Sequence, residues 1–273
     1  MKVVLHGVRG SMPAPGADFV AVGGHTSCLS ITLAGETAPA LVLDAGTGLV
    51  NLTKHLSGEP YCGEIVLTHL HWDHMQGLPF FRAGDTDSAD VTLRLPAQGA
   101  AVPGVPTSAE RLLAGAMSPP HFPIEPSGLR GSWRFEAADS GWFEASGAKV
   151  LLADVPHKGG RTYGIRVEAD GLSFAYLPDH DPTIDPEPGT TLAHGVDVLF
   201  HDAQFADEES PIARAYGHST ISEAIELGAA AKVGRLVLIH HAPGRVDSQV
   251  SALADRRSAV PLTVGREGAI IDI

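Results

Sequence analysis

The chain has 273 residues, of which 44% are hydrophobic and 19% are charged, and its formal net charge is −13. This is the balance of an ordinary globular protein that can bury a sizeable core. The acidic balance, and the lack of any run of Lys or Arg, argue against broad electrostatic binding to extended nucleic acid or to an anionic membrane.

The cysteine content and the hydropathy pattern bear on the compartment. The two cysteines, Cys28 and Cys62, form no Cys-x-x-Cys pair, which predicts a reducing compartment rather than a disulfide-stabilised protein. No stretch approaches the roughly 18 apolar residues of a membrane span. The first apolar run is interrupted by Arg9 and is too short for a signal peptide. We therefore expect a cytoplasmic protein without a membrane partner.

The first half of the chain is typical of short apolar strands separated by Gly- and Pro-rich loops. Strands are predicted at residues 2–6, 29–33, 40–43, 64–67 and 91–95. Helices are predicted at 49–56 and 108–117, the second after a loop rich in Gly, Pro and Ala at 97–106.

A dense cluster of polar residues follows the predicted strand at 64–67. Residues 68–74 read Thr-His-Leu-His-Trp-Asp-His, with three His and one Asp in six positions. Imidazole and carboxylate ligands together suit zinc, manganese or iron(II). His69 and His71 are two residues apart and can converge on one ion, whereas Asp73 and His74 lie further round the turn and can reach a second.

The second half of the chain repeats this alternation. Strands are predicted at residues 149–155, 163–168, 172–177, 197–200, 235–239 and 269–273. Thr220 and Glu223 form a capping box that begins a helix, and a last helix is predicted at 248–257.

Five apolar strands of the chain end in Asp or His. These residues are Asp44, His69, His157, Asp179 and His240. Side chains at the ends of neighbouring strands can meet along one edge of a two-layer sheet. We therefore expect a single site built from both halves of the chain.

The His-x-His-x-Asp-His string after an apolar strand resembles the metal-binding motif of the metallo-β-lactamase superfamily, and the resemblance extends from near residue 6 to past residue 241. It implies an α/β fold of four layers, an αββα sandwich of two mixed sheets flanked by helices. It also implies one hydrolase domain over residues 1–273, with a pseudo-repeat of two halves at about 1–145 and 146–273.

The resemblance implies two divalent metal ions, zinc or manganese. The first ion would be bound by His69, His71 and His157, and the second by Asp73, His74 and His240. Asp179 would bridge the two ions, and Asp44 would brace the histidine loop, since a metal-binding imidazole needs an acceptor on its far nitrogen. From the sequence, Asp181 remains an alternative to Asp179, and His241 an alternative to His240.

Two further strings resemble the tRNase Z-like enzymes of the superfamily. Residues 201–203 read His-Asp-Ala, close to their His-Glu-Ala-Thr, and residues 217–220 match their Gly-His-Ser-Thr. The resemblance implies that His218, oriented by Asp202, protonates the leaving oxygen, for which an imidazole with a pKa of about 6.5 is suited. Asp73 could be both ligand and general base. Asp202 and His25 depart from the family's Glu and Asn, and the sequence leaves the effect of both changes open.

These strings favour a phosphodiesterase that uses a metal-bridging hydroxide on a small or cyclic phosphodiester. Full tRNA processing is disfavoured, because no Gly-rich or basic insert provides an arm for tRNA. The alternatives are a carbon-ester hydrolase, such as a lactonase or thioesterase, and a catalytically silent metal-binding module. Dimers are common in the subgroup, so a homodimer is compatible with the resemblance. The sequence leaves the natural substrate, the native metal and the oligomeric state open.

Overall fold

The computed structural model describes residues 1–98 and 108–273, and these ranges contain fourteen β-strands. The predicted loop at 97–106 lies almost wholly outside the described residues. The strands are β1 (Lys2–Gly7), β2 (Cys28–Thr32), β3 (Leu41–Leu43), β4 (Cys62–Val66), β5 (Asp90–Pro96), β6 (Ser132–Ala138), β7 (Gly141–Ala145), β8 (Ala148–Asp154), β9 (Tyr163–Ala169), β10 (Leu172–Leu177), β11 (Val198–Asp202), β12 (Arg235–Ile239), β13 (Leu262–Val264) and β14 (Ile270–Asp272).

Seven short α-helices lie between the strands of the described ranges. They are α1 (Leu49–His55), α2 (Trp72–Met75), α3 (Ala109–Ala114), α4 (Glu187–Leu192), α5 (Ser210–Tyr216), α6 (Ile221–Ala230) and α7 (Asp247–Ser251). The predicted capping box begins α6, where the Thr220 hydroxyl accepts from the Glu223 amide and the Glu223 carboxylate accepts from the Thr220 amide. No helix within the described ranges has the length and hydropathy that a membrane crossing requires.

The strands form two mixed sheets of seven strands each. The first has the order β14-β1-β2-β3-β4-β5-β6 and the second the order β13-β12-β11-β10-β9-β8-β7. Strands β3 to β6 are parallel to one another, as are β10 to β13, and the remaining pairs are antiparallel. The chain changes sheet between β6 and β7, just ahead of residue 145, and of the later strands in the described ranges only β14 returns to the first sheet.

The buried residues fall into three apolar clusters, which separate four layers. One cluster lies between the sheets, one between the first sheet and helices α1 to α3, and one between the second sheet and helices α4 and α6. Alternation along the strands produces this division, since successive side chains point to opposite faces. In β12, for example, Val237 and Ile239 face the other sheet, whereas Leu236 and Leu238 face the helices.

The predicted four-layer αββα sandwich is therefore confirmed. The predicted strands all form, with bounds that differ by one or two residues at several ends. The sequence did not predict β6, β7, β13, α2, α4 and α5. Strand β6 gave no clear signal because it lies at the edge of its sheet and keeps much of its surface exposed, so apolar and polar residues are mixed along it.

The parallel strands bring their carboxyl ends to one edge of the sandwich. In the first sheet β3 and β4 end side by side, and in the second sheet β10, β11 and β12 do the same. A hydrogen bond links the two sheets at this edge. The Tyr163 amide at the start of β9 donates to the carbonyl oxygen of Thr68, just after β4, at 2.9 Å. The loops beyond these strand ends form the candidate site.

Candidate metal centre

All seven residues predicted as ligands converge at this edge of the sandwich. Asp73 and His74 lie on α2, which begins immediately after the loop that carries His69 and His71. The other three follow strands β8, β10 and β12 of the second sheet. Side chains separated by more than 160 residues are thereby brought into contact, as in the 3.2 Å approach of His240 Nε2 to Asp73 Oδ2.

The first group of possible ligands is His69, His71, His157 and Asp179. Each offers an atom that lies within 4.8 Å of those of the others. The Nδ1–H of His157 donates to the Gly217 carbonyl oxygen at 2.7 Å, so its Nε2 faces the group, 3.6 Å from Asp179 Oδ1. Nε2 of His69 lies 3.9 Å from the same oxygen.

The second group is Asp73, His74 and His240, and all three are buried. Nε2 of His74 and Nε2 of His240 lie 3.3 Å and 3.2 Å from Asp73 Oδ2. The backbone amide of Ser11 also donates to this oxygen, at 2.7 Å. The carboxylate of Asp73 is thereby held in one orientation between the two rings.

Asp179 lies between the two groups and faces each of them with a different oxygen. Its Oδ1 is the atom nearest to His69 and His157, whereas its Oδ2 lies 2.9 Å from Nε2 of His74 and 3.3 Å from Nε2 of His240. This is the arrangement that a carboxylate needs if it is to bridge two ions.

The chemistry of these residues fits divalent metal ions. Among the described residues, no hydrogen bond of normal geometry reaches the buried atoms His69 Nε2, His74 Nε2 and Asp179 Oδ2, although the last two approach each other to 2.9 Å. Polar atoms buried without partners are costly and normally rare. Imidazole nitrogens and carboxylate oxygens are the ligands that zinc and manganese take. A divalent cation would satisfy all three atoms.

The histidines of the cluster differ in the direction in which their pKa values are shifted. Burial lowers the pKa of His69, and the neighbouring His74 lowers it further, so this ring offers a free lone pair. Burial has the same effect on His74, but the carboxylates of Asp179, Asp73 and Asp44 outweigh it and raise the pKa of His74 well above 6.5. The second group therefore holds protons that a bound cation would displace.

A buried imidazole–carboxylate pair lies beside the two groups. The Nδ1–H of His218 donates to Asp202 Oδ2 at 2.9 Å, and the Ser219 amide donates to the same oxygen at 3.1 Å. The shorter Asp side chain thus reaches the imidazole. The His218 ring lies with its centroid 4.9 Å from that of His157 and 5.3 Å from that of His240.

The position of His218 allows two chemical roles. With Nδ1 donating to Asp202, the ring can deliver a proton from Nε2. His218 also forms a third possible ligand group with Asp179 and His240. Measurement of the metal content of a His218 variant separates these roles.

Comparison with known proteins places this site in a family. A sequence profile described as "Beta-lactamase superfamily domain" matches residues 40–241, which is most of the chain. The chain belongs to the metallo-β-lactamase superfamily. The predicted family is thus confirmed, and with it the prediction of a metal-dependent hydrolase of this superfamily.

Three relatives show how far the similarity extends. A ribonuclease Z of Bradyrhizobium diazoefficiens is 27% identical over 266 residues, covering 79% of this chain and 84% of that protein. The metallo-β-lactamase fold protein YhfI of Bacillus subtilis superposes with a TM-score of 0.73 at 16% identity, over 99% of both chains. A diphosphatase of the PhnP family superposes with a TM-score of 0.72 at 18% identity, over 100% of this chain and 97% of that one.

Asp181 and His241, the alternatives that the superfamily motifs left open, belong to none of the possible ligand groups. Asp181 does not face the cluster, because its Oδ1 pairs with Arg214 and accepts from the Thr183 hydroxyl at 2.6 Å. His241 also turns away, with Nε2 3.0 Å from the Gly265 carbonyl oxygen. His240 has a φ of 57°, and this left-handed conformation points the two successive imidazoles in different directions.

His25 and Gln204, which both depart from the superfamily strings, lie in different parts of the structure. His25 lies outside the three possible ligand groups, and its Nδ1 is 2.9 Å from Glu267 Oε1. Gln204, which stands at the Thr of the family string, lies at the site and donates to the Ser11 hydroxyl at 2.8 Å. The change at His25 therefore affects a contact between loops, and the change at Gln204 affects the edge of the site.

Asp44 braces the histidine loop through four contacts. Its Oδ1 accepts from the amide and the hydroxyl of Thr68, at 2.8 Å and 2.9 Å. Its Oδ2 lies 2.7 Å from Nδ1 of His74 and accepts from the hydroxyl of Tyr176 at 3.0 Å. Nothing in the sequence marks Tyr176 as part of the site. It lies among the core residues of β10 and reaches Asp44 from the other sheet.

Substitution Asp44→Asn is expected to lower the metal affinity of the protein by about 10- to 100-fold, the usual effect of losing the partner of a metal-binding histidine. The amide keeps the shape of the carboxylate and tolerates the φ of 59° at this position. However, the amide lacks the negative charge of the carboxylate. It also offers only one acceptor oxygen to the four groups that contact Asp44. Competition with a chromogenic chelator measures the affinity. The matched control is Asp255→Asn at an exposed position, and equal affinities of the two variants would contradict the bracing role.

Proposed function

We propose that the protein is a dinuclear metal-dependent phosphodiesterase that acts on a small or cyclic phosphodiester. The observation that carries this proposal is the position of Asp179, whose two oxygens face two different groups of ligands next to the His218–Asp202 pair. Two cations and a proton donor suit the cleavage of a phosphodiester, because charge develops on both the phosphoryl and the leaving oxygens.

Seven residues would hold the two ions. His69, His71 and His157 would bind the first, Asp73, His74 and His240 the second, and Asp179 both. When bound, zinc or manganese would lower the pKa of an attacking water and offset the negative charge of the transition state. Asp73 would be a ligand and would also accept the proton of that water.

His218 would protonate the leaving oxygen. Because its Nδ1–H is bound to Asp202, the proton that is transferred resides on Nε2. The Asp202 carboxylate also stabilises the imidazolium that exists before transfer, in the way that a buried carboxylate orients the histidine of other hydrolases. Asp202 is fully buried, and the Ser219 and Gln204 amides hold its two oxygens at 3.1 Å and 3.0 Å.

The charge of the protein supports a small substrate. A net charge of −13 opposes the approach of a long polyanion, whereas a small diester can be bound by the two cations alone. The names of the ribonuclease Z relative and of the structurally similar diphosphatase both support phosphoester cleavage. We further propose that residues 1–273 act as one domain in the cytoplasm, where the free Cys28 and Cys62 would stay reduced.

A substrate panel tests the proposal. The metal-loaded protein is assayed with bis-p-nitrophenyl phosphate, 2′,3′- and 3′,5′-cyclic nucleotides, a γ-lactone and a thioester. We expect cleavage of the phosphodiesters, with kcat/KM at least about 10²-fold above that for the carbon esters, since a second cation and a proton donor contribute about that much to phosphoryl transfer. Preferred cleavage of the lactone or the thioester would overturn the proposal in favour of a carbon-ester hydrolase.

A further inference from the structure

Two buried imidazoles behind the site have no part in the proposed mechanism. His180 follows Asp179 directly, and His201 precedes Asp202 directly, and neither ring has measurable exposure. His201 Nδ1 lies 2.9 Å from the carbonyl oxygen of Asp202, and His180 Nδ1 lies 3.1 Å from His201 Nε2. The two rings thus form a line that ends on the main chain of Asp202.

The direction of this line follows from its last member. A carbonyl oxygen only accepts, so His201 must carry its proton on Nδ1. Its Nε2 is then a lone pair, and His180 must donate to it from Nδ1. Nε2 of His180 is left as a bare acceptor, buried and without a partner. A proton there would create a buried charge with no acceptor, so both rings are neutral.

Gly189 makes room for this arrangement. A Cβ at Gly189 would lie 2.5 Å from Cε1 and 2.8 Å from Nε2 of His180, so any larger residue would displace the ring. The protein therefore keeps a polar ring with an unsatisfied acceptor at a place where an apolar side chain would be more stable.

The line joins the two strands that carry the acidic residues of the site. β10 and β11 are parallel neighbours, with Leu177 opposite His201. The carbonyl oxygen of His180 also accepts from the Ser219 hydroxyl at 2.6 Å. The segment after Asp179 is therefore bonded to β11 through the two imidazoles, and to the segment that holds His218 through the Ser219 hydroxyl.

We propose that His180 and His201 are positioning residues, which fix Asp202, and through it the imidazole of His218, relative to Asp179. The inference rests on the proposed function, in which Asp179 binds the ions and His218 donates the proton. It extends that function by assigning the alignment of the proton donor to a line of two neutral imidazoles. A fixed donor matters most for a leaving group that is a strong base.

The experiment compares two diesters that differ in their need for a proton. Phenolate resembles the Tyr side chain, with a conjugate-acid pKa of about 10, whereas p-nitrophenolate is a much weaker base and leaves without protonation. In metal-loaded His201→Leu and His180→Leu, kcat for diphenyl phosphate should fall by about 10- to 100-fold, the range for residues that orient a functional group. The kcat for bis-p-nitrophenyl phosphate, KM for both esters and the metal content should stay near those of the wild type.

Two variants control for loss of stability. His180→Asn places an N–H close to the position of Nδ1, from which it can still donate to His201 Nε2, and should restore most of the activity towards diphenyl phosphate. His6→Leu removes another buried imidazole on β1, whose Nε2 lies 2.8 Å from the Ser30 hydroxyl on β2 and which belongs to none of the possible ligand groups. It should leave the ratio of the two rates unchanged. Equal losses on both esters in the His201 and His180 variants would assign them a merely structural role and overturn the proposal.

Nuclear magnetic resonance of the imidazole nitrogens gives a readout independent of turnover. In the metal-loaded wild type, His180 and His201 should both be Nδ1–H tautomers, and the Nδ1–H of His218 should be protected from exchange. The protection of His218 should be lost in His201→Leu and kept in His6→Leu. An Nε2–H tautomer at either ring, or unchanged protection of His218, overturns the proposal. Absence of any diester cleavage by the wild type would instead count against the proposed function.

Discussion

Substitution Asp179→Ala is expected to release at least one metal ion per chain and to lower kcat/KM for phosphodiesters by about 10³-fold or more. Asp179 is the one predicted ligand whose two oxygens face both groups, at 2.9 Å from His74 and 3.6 Å from His157. Its loss removes a ligand from each ion and leaves buried histidines without their counter-charge. Removal of a single stabilising group already costs about 10²–10³ in rate at comparable sites. Elemental analysis after dialysis gives the metal content.

The neighbouring Asp181 provides the matched control. Asp181→Ala removes a carboxylate two residues away that pairs with Arg214 and anchors the loop after β10. We expect this variant to melt at a lower temperature and to retain its full metal content. An Asp179→Ala protein with unchanged metal stoichiometry would contradict the bridging role, and metal loss in Asp181→Ala alone would transfer that role to Asp181.

The second large effect is expected for His218→Ala, in which turnover of diesters with basic leaving groups should fall by about 10²- to 10⁴-fold, the usual contribution of a general acid. The metal content should be retained, because in the proposed function neither ion depends on His218. Cleavage of bis-p-nitrophenyl phosphate should fall much less, since its leaving group does not need the proton. Single-turnover kinetics with both types of ester measure the difference.

The exposed His194 serves as the control for this variant, and His194→Ala should behave as wild type. Loss of metal from His218→Ala would show instead that the third ligand group, formed with Asp179 and His240, binds an ion. A His218→Ala protein that cleaves diphenyl phosphate at the wild-type rate would exclude the proton-donor role.

The parts of the site that the sequence predicted are those fixed by local pattern. Apolar strands are recognisable as runs of β-branched and aliphatic residues. Because parallel neighbours bring their carboxyl ends together, polar residues at the ends of such strands converge. That reasoning predicted the positions of His69, Asp179 and His240 within the site. It also predicted the helix at Thr220, whose capping box is a local interaction.

The remaining parts depend on contacts between distant segments. Tyr176 and Ser11 reach Asp44 and Asp73 across 132 and 62 residues of sequence, and nothing in their own neighbourhoods distinguishes them from core or loop residues. The choice between His240 and His241 likewise depends on a backbone conformation, the φ of 57° at His240, and not on residue type. The pairing of His180 with His201 requires both the register of β10 on β11 and the space left by Gly189.

The most direct test of a dinuclear phosphodiesterase is turnover of bis-p-nitrophenyl phosphate by metal-stripped protein, with zinc or manganese added back in steps. We expect the stripped protein to be inactive and cleavage to return as the second equivalent of metal binds. Tight binding of two equivalents without cleavage of the diester would contradict the phosphodiesterase assignment. Full activity after the first equivalent would contradict the dinuclear site.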